Sequence, residues 1–103
     1  MAKFVYLYTG GSMAETPEAQ EQAMQAWGAW FDALGGVVVD MGNPFGAAIT
    51  IATDGAVSHR SAAGASGYSI IQAESLDDAT TKAKDCPVLV SGGAVEVHQA
   101  IEM

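Results

Sequence analysis

Basic side chains are almost missing from this sequence. Four lysines and arginines stand against twelve aspartates and glutamates in 103 residues, giving a formal charge of −8 and a sequence pI near 4.3. Between Lys3 and Arg60 there is no lysine or arginine, while Glu15, Glu18, Glu21, Asp32, Asp40 and Asp54 all fall in that stretch. Nucleic-acid backbones and anionic bilayer surfaces are held through clustered cations. Neither nucleic acid nor a membrane is therefore expected as a partner. Cysteine is down to one residue, Cys86, so no intrachain disulfide can form. It precedes Pro87 in neutral-to-acidic surroundings that do nothing to stabilise a thiolate, and a structural role is expected. Histidine is limited to His59 and His98. First-row metals need three or four converging ligands, and these two with Cys86 and Asp40 are too scattered to supply them, so no metal and no cofactor are expected. No apolar run approaches the roughly 20 residues needed to span a bilayer. The opening Met-Ala-Lys-Phe-Val-Tyr-Leu-Tyr lacks the layout of a signal peptide. A cytoplasmic location is the resulting expectation.

Apolar residues, by contrast, are plentiful: they make up 50% of the chain, and the mean hydropathy is +0.19. A chain of this length forms one domain, taken as 1–103. Small domains have much surface for their volume, so such an excess is hard to hide within one subunit. Burial between subunits resolves this, and a homodimer is expected.

Aromatic and β-branched residues over 3–9 read as a strand buried on both faces, ended by Gly10-Gly11. Thr16 is a good N-cap, Pro17 suits the first helical position, and Glu18 and Glu21 favour the helix N-terminus. Gln20, Met24, Trp27, Phe31 and Leu34 then form one helical stripe, with Trp30 at its boundary, up to the stop at Gly35-Gly36. Val37-Val38-Val39 is a second strand, broken at Asn43-Pro44. Segments 48–52 and 56–61 flank Asp54-Gly55, a strong two-residue hairpin signal. A flexible connection over 64–67 leads into a strand over 68–73. Ser75 with Asp78 is a capping box that opens a short helix over 76–85, and a last strand covers about 94–101. The fold class is α+β: two βαβ units joined by a hairpin, giving a split-βαβ sandwich whose antiparallel sheet carries both helices on one face.

Alternation on the last strand sends Val95, Val97 and Ile101 toward the helices and Glu96 and His98 to the other face. On the first strand Val5 and Leu7 are expected under the helices, with Tyr6 and Tyr8 pointing away. The uncovered face would then carry Tyr6, Tyr8, Tyr68, Glu96 and His98, too apolar a set to leave in water. Glu96 and His98, two apart on one strand, stand side by side, where a carboxylate can orient or charge an imidazole. The plainer alternative is an interface pair that satisfies its own hydrogen bonds, or a solvated edge. Gly10-Gly11-Ser12 lacks either phosphate-loop pattern and sits among acids, so it reads as a turn. His59 and Arg60 read as solvent-facing hairpin residues, and Ser58 beside His59 points to the opposite face, which excludes a triad.

Gly67-Tyr68-Ser69-Ile70-Ile71, Ser75-Leu76-Asp77-Asp78-Ala79, Cys86-Pro87 and Gly92-Gly93-Ala94-Val95-Glu96-Val97, with Phe4-Val5-Tyr6-Leu7-Tyr8 ahead of a Pro- and Glu-initiated helix, resemble the YCII-related, DGPF-type proteins in order along nearly the whole chain. The most specific part is the Gly-Gly-x-Val-Glu-Val segment. The resemblance implies a ferredoxin-like fold and dimers that build an α/β-barrel-like assembly. Two departures limit it. Where the family's Asp-Gly-Pro-Phe would fall, this chain has Val57-Ser58-His59-Arg60-Ser61, and Gly42-Asn43-Pro44-Phe45 lies too early to replace it. The helix histidine proposed to work with an aspartate in YCII-type members falls near Met24, and the first helix here has no histidine, so a His–Asp activity is not carried over. The functional expectation is a dimeric module binding a small, uncharged or partly aromatic molecule in a sheet-face cleft lined by Tyr6, Tyr8, Tyr68, Glu96 and His98. The alternatives are a dimeric α/β-barrel enzyme with His98 as acid/base and Glu96 as its partner, and an assembly protein with no pocket.

Overall fold

The computed structural model describes residues 1–11 and 15–103, so Ser12, and with it the end of the turn expected at Gly10-Gly11-Ser12, lies outside the described residues. Gly10 and Gly11 themselves have φ of +66° and +85°. The first strand, β1, covers Ala2–Thr9 and leads into helix α1, Pro17–Leu34. The Thr16 side chain caps α1 by accepting the Ala19 N–H at 3.1 Å, Pro17 stands in the first turn, and Gly35 closes the helix with φ +64°. Gly35–Val37 forms a single 3-10 turn into β2, Val38–Asp40. Two short strands follow, β3 at Thr50–Ile51 and β4 at Val57–Ser58, then β5 at Ala65–Ala73, helix α2 at Leu76–Ala83, and β6 at Ala94–Gln99. The four long-range strands form one sheet in the order β2-β5-β1-β6 with every neighbouring pair antiparallel; β3 and β4 form a separate two-stranded sheet. The molecule is therefore α+β, a mostly antiparallel sheet with two helices. Its extents of 43 × 42 × 18 Å describe a flat plate.

Both sides of β1 are apolar, and the structure reverses the expected facing. Phe4, Tyr6 and Tyr8 are buried under the helices, while Val5 and Leu7 lie half-buried on the open side. Tyr6 belongs there because both of its needs are met. Its ring stacks on Trp30 of α1 at 5.9 Å, and its hydroxyl donates to the Ala79 carbonyl of α2 at 2.5 Å. Tyr8 meets the edge of Trp27 at 5.0 Å and donates to Ser69 Oγ at 2.7 Å. Large rings with a polar tip go where area is buried and the tip still finds an acceptor. A signal was present in the sequence: the set Lys3, Val5, Leu7, Thr9 has polar ends, whereas Ala2, Phe4, Tyr6, Tyr8 carries none but hydroxyls.

Helix α1 is turned about its axis for the same reason. Trp30, not the expected stripe centre, is its buried side chain, and its Nε1–H donates to the Lys82 carbonyl at 3.1 Å. Trp27, Phe31 and Leu34 are half-buried, and Met24 is 74% exposed. At α2, Ser75 accepts the Asp78 N–H at 3.0 Å, and Asp78 in turn accepts the Glu74 N–H at 3.1 Å. The helix stops at Ala83 rather than 85, because Cys86 before Pro87 takes an extended backbone, as residues preceding proline do. Cys86 is almost fully buried, and burial pushes its thiol up to about 11, so it stays protonated at neutral pH.

The strand expected from residue 68 begins at Ala65, inside the stretch read as flexible. Gly67 allows it. A Cβ there would come 3.1 Å from the Asn43 carbonyl oxygen, and the bare glycine lets Pro44 bridge to it instead. The 43–45 segment is thereby drawn back to the sheet, with Tyr68 N–H donating to Asn43 O at 3.3 Å and Phe45 N–H to Ser66 O at 2.9 Å. The hairpin forms around Asp54-Gly55 with shorter strands and a longer loop than the two residues expected: Ala52 N–H donates to Ala56 O at 2.7 Å, leaving Thr53, Asp54 and Gly55 in the turn. Gly55 N–H donates to Ala52 O at 2.9 Å with φ +89°, a turn closed by a glycine in the left-handed region. Ile51 and Val57 on this hairpin are 71% and 54% exposed.

Candidate functional site

Two sites emerge, on opposite faces of the sheet. On the open face the register places His98 beside Val5 and Glu96 beside Leu7, with Ile70 and Tyr68 on the far side of the same two residues. Glu96 and His98 do stand side by side, with Nε2 and Oε1 2.9 Å apart. Both side chains are more than half exposed in the single chain, and such pairs contribute little in water. Tyr68 joins this face: its ring stacks on Phe45 at 5.7 Å and its hydroxyl reaches Asp40 Oδ2 at 3.4 Å. Tyr6 and Tyr8 do not join it. The set expected in one cleft is thus divided, with Tyr68, Glu96 and His98 on one side and Tyr6 and Tyr8 on the other.

Under α1 lies a cavity of about 500 Å³ that sequence reading did not locate. Its roof is Met24, Trp27 and Phe31 of α1, and its floor is Tyr8 of β1 with Ser69 of β5; Tyr68, whose ring stacks on Phe45, also borders it. The outer wall is the backbone that leaves β2, Met41 to Pro44. Three local features hold that wall. Asp40 Oδ1 accepts the Gly42 N–H at 2.8 Å, a turn that aspartate makes readily. Gly42 takes φ +76° with its Cα so close to β5 that a Cβ would fall 1.7 Å from the Tyr68 carbonyl oxygen. The bridge of Pro44 to Gly67 then pins the far end. The wall exists because two glycines, Gly42 and Gly67, let two backbones approach. That combination could have been suspected from a Gly-Asn-Pro-Phe segment lying opposite a Gly-Tyr strand, but only once the two were known to be neighbours.

Six of the ten lining residues are aromatic or methionine. Trp27 sets its ring across both Tyr8 and Phe31, at 5.0 and 6.0 Å. Its ionisable side chains are tyrosines alone. Burial drives the Tyr8 phenol well above its ordinary range. Ser69 is fully buried and its Oγ lies 2.6 Å from the Met41 carbonyl, with no base beside it to activate the hydroxyl. Such a cavity can bind and orient; its lining holds no histidine, carboxylate, lysine or cysteine side chain to serve as a general acid or base. Its volume suits a one- or two-ring molecule. A second, more open depression of about 410 Å³ lies beside Trp30, between the Ala26, Ala29 and Ala33 side of α1 and Pro87–Val90, with Asp85 as its ionisable member. Among the described residues no group of three or more His, Cys, Asp and Glu side chains converges, and no helix is long and apolar enough to cross a membrane. Compared with protein-family models, with curated proteins and with solved structures, the chain matches none of them.

Proposed function

We propose that this protein is a homodimeric module that binds a small, neutral, ring-bearing molecule in the cavity between α1 and the Met41–Pro44 wall. The observation that carries this reading is a preformed 500 Å³ space with an aromatic floor and roof and no lysine or arginine in its lining. An anionic ligand would find no counter-charge there, and Asp40 stands at the base of the wall. The strand order β2-β5-β1-β6, with α1 and α2 as the crossovers, supports a ferredoxin-like arrangement and accords with the resemblance to YCII-related proteins. Met24, near where the resemblance places the helix histidine of those proteins, roofs this cavity. A thioether there favours binding over proton transfer.

The test is a titration with 2-naphthol, followed through the indole N–H signals of Trp27 and Trp30 in 15N-labelled protein. Trp27 is expected to shift progressively while Trp30, hydrogen-bonded to Lys82, stays in place. Trp27→Ala should weaken binding about tenfold or more, the scale of losing one large aromatic contact. Equal shifts at both indoles, or none, would remove the cavity as the binding site.

Dimerisation is supported by the open sheet face. Antiparallel sheets that face water usually do so with polar residues, whereas the centre of this face is Val5, Leu7, Tyr68 and Ile70. A second copy laid on that face would cover these four and take Glu96 and His98 out of water as an interfacial pair. Sedimentation equilibrium is expected to give twice the 10.6 kDa chain mass, and Leu7→Asp, a charge at the middle of the face, should return it to the monomer. A wild-type monomer at the concentrations used for binding would refute the dimer and leave the cavity reading intact.

A further inference from the structure

We propose that the cavity is sensitive to the sign of the hydrogen bond its ligand makes: it favours a ring molecule bearing an N–H or O–H donor, which donates to Tyr8 Oη, over a ring of the same shape whose polar atom only accepts. This rests on the binding reading above. Three residues of the lining form a relay. The Met41 carbonyl is an acceptor and nothing else. Ser69 Oγ, 2.6 Å away, must therefore direct its single proton there. Tyr8 Oη lies 2.7 Å from Ser69 Oγ. With the serine proton committed, that contact is a hydrogen bond only if Tyr8 donates. The phenol has one proton, so its oxygen has only lone pairs left for a ligand.

Reversing the relay would leave the Met41 carbonyl without its serine donor, with Ser69 fully buried and Tyr8 nearly so. Buried polar groups resist such a loss. The phenol keeps its proton across neutral pH because burial disfavours the phenolate. Asn43, also in the lining, carries both a donor and an acceptor on its amide and cannot set a sign. At Tyr8 the choice between donor and acceptor ligands is thus made by Met41, a residue whose contribution is a backbone carbonyl and whose identity in the sequence says nothing about it.

Indole and benzofuran test this directly, being nearly the same shape with an N–H in one and an ether oxygen in the other. Dissociation constants are read from the Trp27 signal as above. Wild type is expected to bind indole about tenfold more tightly than benzofuran, the scale of one buried hydrogen bond made or left unmade. Tyr8→Phe should bring the ratio to about one. Ser69→Ala removes the acceptor for the tyrosine proton and frees Oη to donate, so benzofuran should gain affinity in that variant. A merely structural role for Ser69 would weaken both rings alike. Equal affinity for the two rings in the wild type, or an unchanged ratio in both variants, overturns the proposal while binding in the cavity stands. If neither these rings nor 2-naphthol moves the Trp27 signal, the binding reading falls as well.

Discussion

Gly42→Ala should cost this protein about 3 kcal/mol or more, and it should abolish probe binding in whatever folded fraction remains. Two penalties add at that position. An L-residue at φ +76° is strained by about 1 kcal/mol. The new methyl would also stand 1.7 Å from the Tyr68 carbonyl oxygen and 2.6 Å from its carbon. Both are backbone atoms of a paired strand, so no rotamer change relieves the clash. The wall must move off β5 or β5 must bend, and either opens the cavity whose far side is Trp27 and Phe31. Gly55→Ala is the control: it shares a left-handed φ of +89° but meets nothing within 4 Å. It should lose only the conformational share, about 1 kcal/mol. Urea unfolding midpoints compare the two variants. Equal losses would mean that the close approach of residue 42 to the sheet is not a feature of the protein in solution.

The second large effect is expected at Trp30. It is 6% exposed, stacks on Tyr6, meets Phe31 at a tilt, and gives its indole proton to Lys82 O, so it ties α1 to both β1 and α2. Trp30→Ala should cost about 3–5 kcal/mol, by lost burial, the cavity left behind and an orphaned carbonyl. Against a total of roughly 5–15 kcal/mol for a domain, that leaves a marginally folded chain. Met24→Ala, on the stripe that sequence spacing favours, should change stability by less than about 0.5 kcal/mol, because the side chain is 74% exposed. It should still alter 2-naphthol affinity, since Met24 roofs the cavity. Thermal unfolding of the two variants decides between the orientations of α1. Comparable losses at Met24 and Trp30 would contradict the one described.

Local chemistry was legible in the sequence. Thr16-Pro17, Gly35, Ser75 with Asp78 and Asp54-Gly55 each end or start an element where the structure has one. These devices act within four residues of themselves, so the surrounding fold hardly alters them. The alternation on β6 was also legible, because Val95 and Val97 contrast with Glu96 and His98. On β1 the contrast is weaker, since the centres of both sets are apolar and only Lys3 and Thr9 at the ends mark the set that faces away from the helices. The tyrosines went inward because Ala79 O and Ser69 Oγ, 73 and 61 residues away in sequence, were there to receive their hydroxyls.

The same distinction separates what the sequence determined by itself from what only the tertiary structure decided. Sequence determined an α+β chain of acidic character, its helix ends and its turns, all properties of neighbouring residues or of composition. Tertiary structure decided the rotation of α1, the division of Tyr6 and Tyr8 from Tyr68, Glu96 and His98, and the existence of the cavity. Each of these depends on two segments meeting: Trp30 with Lys82, Gly42 with Tyr68, Tyr8 with Ser69 and Met41. A buried hydrogen bond or a backbone approach has its free energy only when both partners are in place, and no spacing along one strand or helix encodes where the other partner will be.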